Sequence, residues 1–117
     1  MKTKTREVYI RKENGTFNIF SNEKKVSKDE YDFDGLDSLR KLLSKEKARM
    51  LDAIKYKKPT SIYDLAKILN RPFKAVIDDV KILERFGFIE LLPEEVNKRT
   101  RHKPVISVDQ ITIHLKI

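Results

Sequence analysis

The stretch that most limits what this chain can become is SIYDLAKILNRPFKAVIDDVKILERFGFIELL, residues 61–92. It is punctuated as helix, tight turn, helix, strand. Ser61 can cap the first helix, and Asp64, three positions on, gives an S-x-x-D capping box in which each side chain bonds an orphan backbone N–H near the other. Ile62, Leu65, Ala66 and Leu69 follow at helical spacing and give one apolar face. Asn70 stands where the helix end needs a left-handed residue, a conformation Asn tolerates. Pro72 fits the first position of the next helix, where its missing N–H costs nothing. Val76, Val80 and Leu83 run down one side of that helix, Gly87 ends it, and Phe88, Ile89, Leu91 and Leu92 start an extended run.

Two short helices joined by about three residues make a helix-turn-helix unit, whose second helix enters the major groove of DNA. A strand directly after that helix points to a winged variant. The segments S-I-Y-D-L-A-K-I-L-N and K-A-V-I-D-D-V-K-I-L-E-R-F-G-F-I-E resemble the prokaryotic winged-helix transcriptional regulators, broadly MarR-like or ArsR-like. The resemblance runs from about Leu36 to about Val108 and leaves the first 35 residues uncovered. It implies an α+β winged helix-turn-helix fold, a three-helix core plus a β-wing, over residues 36–117. It also implies a DNA-binding regulator of transcription, and because no serine or carboxylate falls in a recognisable nucleophile or acid–base setting, an enzyme is not expected. The resemblance identifies the fold and not the DNA target, and winged helices also serve as protein-binding and RNA-binding modules.

Charge agrees with a polyanionic partner. The 117 residues carry 26 basic and 18 acidic side chains, net +8. Residues 37–70 hold nine basic against four acidic side chains, and residues 71–92 hold four of each. The surplus therefore lies ahead of the second helix of the motif, which is itself nearly neutral. Other chemistries find no support. Cysteine is absent, which removes disulfides, thiol catalysis and Cys-based zinc sites. The two histidines, His102 and His114, cannot make a zinc site, and Gly15, Gly35 and Gly87 are isolated turn residues and not a phosphate loop. The adjacent carboxylates Asp32 with Asp34 and Asp78 with Asp79 have no visible cleft. No cofactor and no metal are expected. No apolar run approaches the roughly 20 residues of a membrane span, and MKTKTREVYI is basic but lacks the apolar region of a signal peptide. A cytoplasmic protein without a membrane partner is expected.

Taken in order, residues 6–21 read as a β-hairpin with Asn14-Gly15 at its turn. A lone hairpin is marginal in water, so residues 1–35 must pack on the rest of the chain or on a second copy. Residues 22–35 read as a polar connector. Phe33, Leu36, Leu39 and Leu43 predict a short helix over 36–43. Ser44 caps the next, KEKARMLDAIKYK, with Ala48, Leu51 and Ile54 inward and Met50 beside them. Lys55, Lys57 and Lys58 close that helix. Cations there are favourable on their own account, or they face a DNA backbone.

The recognition helix is expected over 72–86, with Val76, Val80 and Leu83 inward and Arg71, Phe73, Lys74, Asp78 and Lys81 nearer to solvent. Arg71 and Lys74 are candidates for guanine or phosphate. Phe73 either touches a thymine methyl or packs under the wing. Asp78 and Asp79 would repel phosphates, unless either pairs with Arg or Lys or accepts from a cytosine amino group. The polar stretch over 93–104, with Lys98, Arg99, Arg101, His102 and Lys103, reads as the flexible basic tip of a wing, suited to a narrow minor groove or to the backbone. Pro72 and Ser61 complete the candidate contacts. In the final run, Ile111, Ile113, Leu115 and Ile117 alternate with polar residues as a half-buried strand. Its expected partner is the N-terminal hairpin, in the same chain or across a dimer.

Three functions follow as expectations. The first is a homodimeric regulator of duplex DNA. The second is an antitoxin-like module that holds a protein partner and regulates itself through DNA. The third is a nonspecific, chromatin-like DNA binder.

Overall fold

A computed structural model describes residues 4–13, 16–21, 24–25 and 35–116. In chain order the elements are β1 (Thr5–Glu13), β2 (Thr16–Ser21), β3 (Lys24–Lys25), α1 (Gly35–Leu42), α2 (Lys45–Lys57), α3 (Ile62–Leu69), α4 (Phe73–Phe86), β4 (Ile89–Val96), β5 (Arg99–Ile106) and β6 (Gln110–Lys116). The described chain is mixed α+β, with four helices, a four-stranded sheet in the order β3-β2-β1-β6, and a two-stranded sheet of β4 and β5.

The expected hairpin forms. β1 and β2 run antiparallel, from Val8 opposite Ser21 to Glu13 opposite Thr16. The Asn14-Gly15 turn lies outside the described residues, as do Phe33 and most of the predicted connector, where only β3 is described, paired to β2. Strand alternation puts Val8, Ile10 and Ile19 on the buried face. The final strand does pair with this hairpin, and within the same chain: β6 runs parallel to β1 from Gln110 beside Thr5 to Lys116 beside Arg11.

The helices cover the buried face. Met50, Leu65, Val76, Val80, Leu83 and Phe86 join Val8, Ile10 and Ile19 in one core. Two helix phases differ from the sequence reading. In α1, Ser38 and Leu42 are buried while Leu36 and Leu43 are exposed. The polar residue on the inward face is satisfied there, because Arg85 donates to the Ser38 hydroxyl at 2.8 Å. In α2, Lys47, Met50, Ala53 and Ile54 face inward and Ala48 faces solvent. A buried lysine conceals the apolar period.

The punctuation of residues 61–87 holds in most particulars. Ser61 Oγ accepts the Asp64 N–H at 3.0 Å, as a cap should. The Asp64 carboxylate, however, accepts from the Thr60 N–H at 2.9 Å, one residue further out than the reciprocal bond of a capping box. Asn70 is left-handed at φ 53° and its N–H closes on the Ala66 and Lys67 carbonyls. Pro72 precedes α4 instead of opening it: at ψ 141° it is still extended, while its carbonyl already accepts the Val76 N–H at 3.1 Å. Gly87, at φ 83°, ends α4, and the next N–H, of Phe88, returns to the Leu83 carbonyl at 3.0 Å.

The largest departure follows α4. Residues 93–104, read as a flexible loop, are strand almost throughout. β4 and β5 pair from Ile89 opposite Ile106 to Val96 opposite Arg99, leaving only Asn97 and Lys98 to turn the chain. Both have positive φ, 52° and 65°, the signature of a two-residue type I′ turn. Beyond the first pairs this ribbon is mostly exposed, so it has no apolar side to mark it as strand in the sequence.

Candidate nucleic-acid interface

Three elements carry the candidate cations: the end of α2, the α3–α4 turn with α4, and the β4–β5 hairpin. Lys55, Lys57 and Lys58 are all exposed at the end of α2. Lys58 stops the helix in the left-handed conformation at φ 48°, which directs the chain toward Pro59 and α3. Lys55 and Lys58 meet Lys103 of β5 around a cleft of about 240 Å³ whose floor includes Ile54, Pro104 and Ile106. Residues that lie up to 48 positions apart in sequence thus bring three lysines to line one cleft.

The α3–α4 turn is locked by a charge cluster in which Asp79 takes the pairing with Arg and Lys that the sequence left open, with partners the sequence did not name. Asp79 of α4 sits 2.8 Å from Lys47 Nζ and 2.9 Å from Arg71 Nη1. The Lys47 side chain is only 8% exposed, so this carboxylate is the counter-ion of a buried ammonium. The Arg71 contact is ionic: the two atoms are close, but their directions do not make a hydrogen bond. Arg71 is therefore half-buried and held, not on the solvent side of the helix as expected. Phe73 is also half-buried, and its ring stacks on Tyr63 of α3 at 4.2 Å between centroids. Of the two readings left open for it, Phe73 takes the packed one, against the core and Tyr63 of α3.

Three of the expected solvent-side residues of α4, Lys74, Asp78 and Lys81, stand free of the core. Lys74 and Lys81 are exposed, with Asp78 between them on the same stripe, at spacings of four and three. Lys74 is 87% exposed and lies 3.8 Å from Asp78, a loose pair in open water. Pro72 is exposed in front of the helix, no side chain caps α4, and no acid stands in its first turn. Lys67, which sequence reasoning missed, is exposed nearby and borders a cleft of about 420 Å³ with Asn70, Arg71 and Pro72. Its signal was the outward phase of α3. Tyr63, also missed, has no comparable signal, because its stacking joins the first turns of two helices. Ser61 is half-buried, and its oxygen is engaged by the cap.

On the hairpin, alternation puts Arg99, Arg101 and Lys103 on one face and Thr100 and His102 on the other. Lys98 and Arg99 are exposed at the tip. Arg101 is partly neutralised: its Nη2 donates to Glu94 Oε1, directly across the ladder, at 3.2 Å. His102 is exposed beside Pro93. Among the described residues no helix is long and apolar enough to cross a membrane.

No curated protein matches the chain. A family model, HVO_A0114, matches residues 42–113, from the last residue of α1 into β6. That match covers more than half of the chain, and the protein belongs to the HVO_A0114 family.

Proposed function

We propose that the protein is a winged helix-turn-helix DNA-binding regulator of transcription. In this reading α2, α3 and α4 are the three-helix core and β4–β5 is the wing. The observation that carries it is the meeting of Lys55, Lys58 and Lys103 at one cleft between the first core helix and the wing. A phosphate backbone is the polyanion such a cluster suits, and contacts of this kind position a protein without reading sequence. α4 lies in the major groove with Lys74 and Lys81 toward the DNA. The hairpin follows the minor groove or backbone with Lys98 and Arg99 leading. Arg71 acts through Asp79 to hold the turn, not as a free base reader.

The test is selection from a random duplex pool at two salt concentrations. A specific regulator enriches one inverted-repeat sequence that survives the higher salt. With about six phosphate contacts, log affinity falls against log salt with a slope of roughly −5. Replacing Arg99 and Arg101 together by Ala weakens binding across most sequences, and unchanged affinity in that variant removes the hairpin from the mechanism. Binding at low salt without enrichment makes the protein a general DNA clamp, which the acidic Asp78 in the α4 stripe favours. No binding at either salt overturns the reading.

A further inference from the structure

Among the described residues, nothing protects the outer edge of β6. Natural edges are shielded by brevity, proline, charge or bulges. Among the described strands, β3 at the opposite edge of the large sheet is two residues long, and β4 and β5 carry Pro93, Pro104 and six charged side chains. β6, QITIHLK, has one charged residue, at its end. Its Gln110 N–H donates to the Lys4 carbonyl at 3.2 Å. By the alternation of a strand, Gln110, Thr112 and His114 then bond toward β1, and Ile111, Ile113 and Leu115 turn their N–H and C=O outward. The same three residues form the apolar row on the helix-covered side of the sheet. Beside that row lies an apolar groove of about 630 Å³, lined by Leu42, Leu43, Leu51, Phe88, Ile111 and Ile113. Leu43 is 73% and Leu115 46% exposed.

We propose that a second copy of this chain docks on this edge, β6 against β6, antiparallel about a two-fold axis at Ile113. Residue i then faces the second copy's residue j with both side chains on one side of the joined sheet. Ile113 faces Ile113, and Ile111 faces Leu115, so apolar meets apolar. All three of these positions point their backbone groups across the seam, so each becomes a hydrogen-bonded pair. On the other side Thr112 faces His114 and Gln110 faces Lys116, so no two like charges are opposed. Each Leu115 comes down beside the other copy's Ile111, on the groove side, where it covers apolar surface that one copy leaves in water. The result is one continuous sheet of eight strands. This gives the homodimer of the DNA-binding reading its surface, and its test is run without DNA, so either reading can fail alone.

The test uses the whole chain. Sedimentation equilibrium is expected at twice the 13.8 kDa of one copy. Leu115→Lys places an ammonium in the apolar row twice per dimer and raises the dimer Kd by more than about tenfold, with an unchanged circular dichroism spectrum. The chain has no cysteine, so Ile113→Cys reports the seam directly. Opposed Cα atoms in a hydrogen-bonded pair are about 5.5 Å apart, within the roughly 4.4–6.8 Å span of a disulfide. Mild oxidation is expected to link that variant to itself. Leu115→Cys serves as the control: its two copies stand four residues apart along the seam, roughly 13 Å, and do not link. A single-copy mass at the highest soluble concentration overturns the proposal. So does a dimer that survives Leu115→Lys while Ile113→Cys fails to link, because its interface is elsewhere.

Discussion

Asp79 is the residue on which the α3–α4 geometry turns. It neutralises Lys47 from α2 and Arg71 from the turn at 2.8 and 2.9 Å, so three segments share one carboxylate. Removing one member of a buried ionic cluster leaves the other charges uncompensated. Asp79→Ala is expected to lower stability by about 3 kcal/mol, measured by urea unfolding. Adding Lys47→Met is expected to recover much of that loss, since an apolar side chain of similar length no longer needs a counter-ion. If the single variant unfolds like the parent chain, the cluster is not structural. The neighbouring Asp78 behaves differently: it is exposed, with Lys74 at 3.8 Å, and contributes little to stability. Adjacent carboxylates look alike in a sequence. Which one turns inward depends on where α2 packs, and Lys47 disguises that by occupying a position an apolar residue would mark.

Elements were legible where local chemistry decides them. Ser44, Ser61, Asn70 and Gly87 act at the helix ends where their side chains and backbone preferences place them. The β4–β5 ribbon was legible only at its base, where Ile89, Leu91, Pro104 and Ile106 meet the core side. Beyond that base it is wet on both faces, and alternation carries no signal. Its turn is strained at Lys98, which holds φ 65° without being glycine. Lys98→Gly supplies the Asn-Gly pair that type I′ turns favour and is expected to raise stability by about 0.5–1 kcal/mol, read as a higher Tm. The same substitution removes one cation from the tip. If Lys98 meets a phosphate, the slope of log affinity against log salt becomes shallower by about one. Stabilisation without any change in that slope would leave Lys98 a turn residue alone.

For the whole molecule, the sheet unites the first and last described segments. The alternation in QITIHLK announced a strand that needed a partner, but its parallel register against β1 was not readable. That register comes from Val8 and Ile113 sharing a row beneath the helices, which is tertiary information. Deleting residues 110–117 strips β1 of one neighbour and uncovers Val8 and Ile10. The shortened chain is expected to aggregate, and light scattering should rise well before its helical circular dichroism is lost. A soluble, cooperatively unfolding truncation would show that the helices and the β1–β2 hairpin are sufficient by themselves.

The β1–β6 pairing also has a history in time. The Lys4 N–H donates to the Asp109 carboxylate, 105 positions along the chain. A ribosome adding roughly 5–20 residues per second therefore makes β1 on the order of 5–20 s before its outer neighbour exists. Throughout that interval the nascent hairpin presents an open edge. The sheet closes on this side only once β6 has been made, so the first described strand waits for its outer neighbour until all four helices have been synthesised.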